Sequence, residues 1–383
     1  MFLPFGVVSQ CRHTLVASNF FLRHRRRSLS SAVTAAASGG GGTKKVGTHD
    51  GSFHCDEALG CFMIRRTEDF SDADIIRTRD PLVLDELDAV LDVGGVYEPS
   101  KHRYDHHQKG FREVFGCGFR TKLSSAGLVY KHYGKEIIAK EAKLDPDHPD
   151  VHLLFLTVYR NFIEAVDAID NGINQYSKYQ LPRFVNNTSL SSRVERMNPD
   201  WTDPDRSPSK EDEAFQRAMQ LAGTELLECI RFHAKSWLPA RSVVMDSLLA
   251  RKTVDSSGEI IVLAHSVPWK LHIFELEKEM KIISTIKYVI YPVLSRSIYL
   301  HLSSGYEQKD RSEKWRLHAV AVAPDKFDSR KPLPPSWRGL ESDKLSQVSG
   351  IFGCTFVHIS GFIGGNRTYD GALAMAKASL MLT

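Results

Sequence analysis

Two rhythms of apolar and polar residues take turns along the first half of this chain. Short apolar runs of strand length occur at KKVGTH (44–49), ADIIRTR (73–79) and DAVLDVGG (88–95), the last ending in Asp92 and a glycine pair. Elsewhere the spacing turns helical. CDEALGCFMIRR (55–66) brings Ala58, Leu59, Phe62 and Met63 onto one face. SSAGLVYKHYG (124–134) opens on a serine cap and predicts a helix stopped by Gly134. Residues 151–173 predict a long apolar helix that ends at Asn171-Gly172. Short strands alternating with helices predict an α/β fold on a mostly parallel, wound sheet.

The pattern breaks at NPDWTDPDRSPSKED (198–212), where three prolines and many charges interrupt any period. A helix is expected over 211–235, followed by strands at 259–264, 287–293, 297–302 and 317–323. SRKPLPPSWRG (329–339) reads as a surface loop with Trp337 as its anchor, and 361–382 as a Gly-rich loop running into an amphipathic helix. The expected organisation is a leader and flexible joint (1–43), an α/β domain (44–205), a connecting helix (206–240) and a second, smaller α/β domain (241–383).

Composition narrows the class. At 383 residues, 42% apolar and 25% charged, the chain can bury two cores of ordinary size. It has no apolar run long enough for a transmembrane helix, so no membrane association is expected. It also lacks the repeats of about 20 to 50 residues that mark solenoids and propellers. The net charge of +4 has to be split by position. Residues 1–49 hold seven basic residues and no acid, which leaves 43 basic against 46 acidic residues in the remainder, a net of −3. Contact with nucleic acid must therefore be local rather than across a broad basic face. The Arg- and Ser-rich, acid-free opening has the composition of a transit peptide, so a mitochondrial (matrix) address is expected. A disordered basic arm or a nuclear signal at RHRRR is the alternative, and a second, nuclear pool stays open. Six scattered cysteines without a CxxC pair fit neither a zinc ribbon nor a disulfide framework, and point to a reducing compartment.

Acid and imidazole side chains collect where strands give way to loops. THDGSFHCDEALG carries His49, His54 and Asp56, and VLDVGG carries Asp92. KHRYDHHQKGF carries Asp105, His106 and His107, and EAVDAIDNG carries Asp167 and Asp170. Singly each has a plain reading: a structural histidine, a turn-forming aspartate, a helix stop. Together they converge, because the carboxyl ends of strands in an open α/β sheet face one crevice. Six or more N/O ligands without a thiolate suit a hard to borderline divalent ion, Mn²⁺ or Mg²⁺ ahead of zinc. More than four ligands exceed one tetrahedral site and point to two ions.

With "DHH" at 105–107 behind a His/Asp motif and a strand-end Asp, the chain resembles the DHH phosphoesterase superfamily. More closely, GTHDGSFHCDEALG, YDHHQKGF and GFIGGNRTYDGALAMA resemble the melanocyte proliferating gene family of metal-dependent RNA exonucleases, over nearly everything after residue 44. The resemblance implies His49, His54, Asp56, Asp92, His106 and Asp170 as metal ligands, with Asp92 bridging two ions and Asp167 competing with Asp170. His54 stands where the superfamily has an Asp, and the His49–His54 interval is one residue longer than usual. Asp50 and Glu57 are therefore substitutes. Asp105 would orient His106, and His107 would face the scissile phosphate and donate to its developing charge.

Substrate contacts are expected at Gly364, Gly365 and Arg367, which resemble the Gly-rich loop of a substrate-binding domain, although a tight turn is an equal reading of glycines alone. Arg193 and Arg196 beside Trp201 read either as phosphate and base contacts or as a capped loop with a buried Trp anchor. Lys101, Arg103, Lys109 and Arg112 would give a local positive funnel. The expected function is a phosphodiesterase acting on single-stranded RNA, a 3′-5′ exonuclease by resemblance, using a two-metal-activated hydroxide. Its alternatives are a hydrolase of a small phosphate ester or anhydride and a non-catalytic RNA-binding protein of the same fold. No protein partner or oligomeric state is indicated.

Overall fold

A computed structural model of the chain describes residues 43–176, 179–180, 184–293 and 314–382. The expected leader, Thr43 apart, and the expected strand at 297–302 lie outside the described residues. The chain divides into two units between Leu227 and Glu228, inside the 206–240 segment expected to connect two domains.

In the first unit, β1 (Lys45–Thr48), β2 (Asp74–Arg77), β3 (Ala89–Leu91), β4 (Tyr97–Glu98) and β5 (Arg103–Tyr104) form one sheet in the order β2-β1-β3-β5-β4. The first four in that order run parallel, and β4 closes the edge antiparallel to β5. The fold is α/β, as the alternation predicts. Parallel pairing has one consequence that governs everything else: β1, β3 and β5 end on the same side of the sheet, and His49, Asp92 and Asp105 follow their last residues within one position.

Helix α1 (Cys55–Ile64) is buried at all ten residues. A helix covered all round must be apolar all round, and α1 is, except at Asp56 and Glu57 in its first turn. The short helix α2 (Pro81–Asp85) is capped by the Asp80 side chain, which accepts from the Leu82 N–H. Helix α3 (Ser125–Ala142) packs on α1. Gly134 does not stop it, contrary to expectation. A Cβ there would lie 2.8 Å from the Phe155 ring and 2.9 Å from Tyr130, so the glycine serves close packing. Helix α4 (Pro149–Val158), a π-helical turn (Tyr159–Ile163) and α5 (Glu164–Asp170) make one run that ends at Asn171, with Gly172 at φ 65°. Helix α6 (Leu190–Glu195) follows, and α7 (Pro208–Phe232) contains the division. A hairpin of β6 (Val114–Gly116) and β7 (Phe119–Lys122) was not expected; Cys117 (φ 52°) and Gly118 (φ 93°) make the positive-φ pair that a tight hairpin turn requires.

In the second unit, α8 (Leu238–Leu249), α9 (Arg251–Val254), β8 (Ile260–Val262), α10 (Lys270–Glu279), β9 (Tyr288–Val293), β10 (Lys314–Ala319), α11 (Ser342–Ser349), β11 (Cys354–Val357), β12 (Ile363–Asn366) and α12 (Tyr369–Met381) build a second α/β layer structure. The sheet order is β11-β12-β10-β9-β8, with β8 parallel to β9 and the other pairs antiparallel. Alternate residues feed opposite faces: Tyr288 and Ile290 pack with Met375 and Ala376 of α12, whereas Val289 packs with Ile273 and Leu276 of α10 and Val244 of α8. Trp337 is buried and anchors its loop, as expected.

The expected Gly-rich loop is instead strand. Gly364 and Gly365 lie in β12 between β10 and β11, opposite Leu317 and Arg316. A Cβ on Gly365 would meet Thr355 Oγ1 at 2.7 Å, the Arg316 guanidinium at 2.8 Å and the Trp315 carbonyl at 2.9 Å. Close approach of neighbouring strands, rather than a backbone cradle, requires glycine there. Among the described residues no helix is long and apolar enough to cross a membrane.

Candidate metal centre

Each polar group of the site is delivered by a chain feature already described. His49 leaves the tip of β1, Asp92 the tip of β3, and Asp105, His106 and His107 the tip of β5. Asp92 adopts φ 58°, a left-handed conformation that aspartate tolerates better than most residues. His54 is the N-cap of α1, so Asp56 and Glu57 enter from its first turn, and Asp170 is the last residue of α5.

Asp92 stands in the middle. Its Oδ2 lies 3.5 Å from His49 Nε2 and its Oδ1 lies 3.3 Å from His106 Nε2. On one flank His49 Nε2 is also 3.1 Å from Glu57 Oε1; on the other His106 Nε2 is 3.1 Å from Asp170 Oδ2. Ligand atoms of His49, His54 and Glu57 lie within 4.8 Å of one another, and so do those of Asp56, Glu57 and Asp92, of His54, Asp56 and Asp170, and of Asp92, His106 and His107. Ser125, the first residue of α3, steadies Asp92 by donating its hydroxyl to Oδ1 at 2.9 Å.

Electrostatics distinguish this set from an ordinary ion-pair network. Both Asp56 oxygens and Glu57 Oε2 are buried without a hydrogen-bond partner among the described residues. Burial, together with Asp92, Asp170 and Glu57, pushes the Asp56 pKa well above the carboxylate range. Burial would lower the His49 pKa, but Asp92 and Glu57 outweigh it and push it up to about 10. In His106 burial likewise loses to Asp170 and Asp92, which push it up to about 9. The Asp92 carboxyl, despite burial, is held well below its usual range by His106 and His49. Among the described residues, protons on His49 and His106 are what offset these carboxylates. Orphaned buried carboxylates beside imidazole nitrogens are a donor set that fits divalent cations.

The structure separates the candidates. Asp170 faces His106. Asp167 does not: it accepts from Ser124 N and Oγ and from the Tyr159 hydroxyl, and burial pushes its pKa up to about 7 despite them. Of the two substitutes for the unusual His54 position, Glu57 is in the site, where it also accepts from the His54 N–H at 2.6 Å, whereas Asp50 pairs with Arg79. Asp105 orients His107, not His106. It accepts from the Gly95 N–H at 2.5 Å, the His107 N–H at 3.1 Å and His107 Nδ1 at 2.8 Å, and the His107 side chain, 62% exposed, stands at the mouth.

A cavity of about 580 Å³ opens over these groups, with Ser191, Ser192 and Glu195 of α6 forming part of its wall. Arg193 pairs with Glu225 at 2.8 Å and Arg196 donates to the Asn187 carbonyl at 2.7 Å, and neither lines the cavity. Trp201 is 82% exposed, not the buried anchor of one expectation. Of the expected funnel, Lys101 pairs with Glu98 and Arg103 donates to the carbonyls of Lys101 and Leu87. Lys109 and Arg112 are exposed. Arg79 brings a guanidinium to the cavity wall, and with Ser125 it is a residue sequence reasoning missed. The basic end of ADIIRTR and the paired serines opening α3 were the available signals. Gly364, Gly365 and Arg367 belong to the second unit.

A family model described as an uncharacterised protein family (UPF0160), MYG1_exonuc, matches residues 45–380. A human protein named MYG1 exonuclease is 45% identical over 342 residues, covering 88% of this chain and 85% of the relative. A Dictyostelium discoideum MYG1 protein is 42% identical over 337 residues, covering 88% and 96%. Among solved structures, exonuclease RecJ bound to manganese is 12% identical, covering 88% of this chain and 89% of that one at a TM-score of 0.23, a likeness that carries no argument.

Proposed function

The chain belongs to the MYG1 exonuclease family, and on that premise we propose that it hydrolyses single-stranded RNA from the 3′ end with the help of two divalent ions, manganese ahead of magnesium. The observation that carries the metal dependence is the shared position of Asp92, whose two oxygens face His49 and His106 at 3.5 and 3.3 Å. His49, His54, Asp56 and Glu57 would hold one ion with Asp92, and His106 and Asp170 the other. When bound, such ions make water acidic enough to attack at neutral pH and neutralise phosphoryl oxygens.

The chain's own residues do the rest. Ser125 fixes the Asp92 carboxylate, and Asp105 fixes His107. With its Nδ1–H donated to Asp105, a protonated His107 presents Nε2–H outward, where it donates to a phosphate oxygen as negative charge grows. A cavity of this volume suits a small-molecule-sized group (about 300–1,000 Å³), which supports enclosure of a terminal nucleotide rather than mid-strand RNA. RNA and 3′ polarity rest only on the resemblance of the sequence motifs to metal-dependent RNA exonucleases; the relatives' names say exonuclease. A second reading, hydrolysis of a small phosphate ester or anhydride, is favoured by the net −3 of residues 50–383.

The test is an assay of the purified chain on 3′-hydroxyl and 3′-blocked single-stranded RNA, a dinucleotide and pyrophosphate. Expected are Mn²⁺-dependent shortening from the 3′ end, none in EDTA, and at least about 100-fold slower turnover in His106→Ala and Asp92→Asn. Pyrophosphate turned over faster than RNA would replace this reading with the second; no metal-dependent cleavage of any substrate would leave the non-catalytic RNA binder.

A further inference from the structure

A second cavity, about 860 Å³, is made wholly by residues of the second unit. Trp269, Phe274, His318, Phe327 and Phe362 give it an aromatic wall. The rings meet edge to face, Trp269 with His318 at 5.1 Å and His318 with Phe362 at 5.3 Å between centroids. Phe327 stands at the rim 101% exposed, a large ring left entirely to water unless a ligand covers it.

Half of the lining residues are polar or charged, the carboxylates Asp325 and Asp328 among them, and two of these groups, His318 and Lys270, are placed for a specific partner. His318 is only 9% exposed, and its Nδ1 lies 3.5 Å from the Tyr291 hydroxyl, while Nε2 has no hydrogen-bond partner among the described residues. Burial and the nearby Lys270 push its pKa down to about 4, so it offers a neutral ring, one nitrogen a donor and the other an acceptor. Helix α10 begins at this cavity with Trp269 as N-cap and no side-chain cap, which leaves first-turn amides free for an anion. Lys270 forms no ion pair among the described residues, whereas Lys326 at the rim is spent on Asp325 at 3.4 Å.

We propose that this cavity binds a nucleotide, with the base stacked on the aromatic wall and hydrogen-bonded at its edge to His318, and the phosphate at Lys270 and the α10 N-terminus. A flat ring with polar edges joined to one anionic group is the ligand chemistry that uses every one of these features. It is presented either by a free nucleoside monophosphate or by one nucleotide of an RNA strand. The site shares no residue with the metal centre and does not depend on the hydrolase reading.

Isothermal titration of the full chain in EDTA, with AMP and separately with a five-adenosine RNA, tests it. Expected are saturable AMP binding, about tenfold or more weakening in Phe327→Ala and in Lys270→Ala, and unchanged binding in His106→Ala. Phe327 and Lys270 are exposed, so both variants keep the fold, as circular dichroism would verify. Tighter binding of the RNA than of AMP, with the same loss in both variants, identifies the strand as occupant; tighter AMP binding identifies the free nucleotide. Absence of saturable AMP binding up to millimolar concentration, or equal affinities in wild type and both variants, overturns the proposal.

Discussion

Asp56 enters the first turn of α1 fully buried, with neither oxygen hydrogen-bonded. Leaving a carboxylate so placed costs several kcal/mol unless a cation or a proton compensates. Without metal, protons must do it, and that fixes a pH dependence. His49 and His106 have folded-state pKa values near 10 and 9, raised above the ordinary 6.5. The stability they contribute is therefore full below about 6.5 and is lost as pH rises through 9 to 10. Asp56, also raised, acts in the same sense from lower pH, while the depressed Asp92 loses its contribution only in acid. The melting temperature in EDTA should fall steadily from pH 6.5 to 10. Metal binding displaces the imidazole protons and strengthens as pH rises, so added Mn²⁺ should reduce or reverse that fall. Differential scanning fluorimetry across this range decides it; a metal-free melting temperature that climbs with pH contradicts the network.

At the scale of elements, glycines that look like loop formers turn out to be packing residues. Gly134 lets α3 approach Phe155, and Gly365 lets the Arg316 guanidinium and Thr355 close over β12. Gly365→Ala should therefore destabilise the protein by about 1–3 kcal/mol through overpacking, visible in urea melts without substrate. If the segment were a phosphate-cradling loop instead, that substitution would leave stability untouched and raise only KM. The helix ending in α5 shows the opposite case. Its stop at Asn171-Gly172 was readable, because a positive-φ glycine beyond a helix has a local cause. The hairpin of β6 and β7 had a local cause too, in the Cys117-Gly118 turn, but its strands are too short to give a period.

Across the whole chain, charge is segregated along the sequence. All seven basic residues of positions 1–49 lie before the first acid, and the remainder is net acidic. We propose that residues 1–43 address the protein to the mitochondrion, with the nucleus as a second site, because a dense Arg- and Ser-rich, acid-free segment has the composition of a transit peptide. A fluorescent reporter carrying residues 1–43 should enter mitochondria, and replacing Arg23, Arg25, Arg26 and Arg27 by Gln should abolish import. A cytosolic wild-type fusion would end the proposal. For the RNA substrate proposed above, the net-acidic remainder predicts few ionic contacts and hence a shallow salt dependence of binding.

The alternation of β1, α1, β2, β3 and α3 and the long helical run to Asn171, with the gathering of His49, Asp92 and the Asp105–His107 triplet where strands give way to loops, were legible in the sequence; α2, β4, β5, α6 and the β6–β7 hairpin were not. Strand and helix periods come from backbone geometry over a few residues, and parallel pairing then forces the tips to one side. Choices among neighbours were not. Asp167 and Asp170 are three residues apart on one helix face, about 4.5 Å along the axis, and only the placement of Ser124 and His106, far away in the chain, assigns one inward to the fold and the other to the site. The same holds for Glu57 over Asp50, for Asp105 turning to His107, and for Gly365 lying within a sheet. Each depends on which distant side chain arrives within about 3 Å, and that distance exists only once the chain has folded.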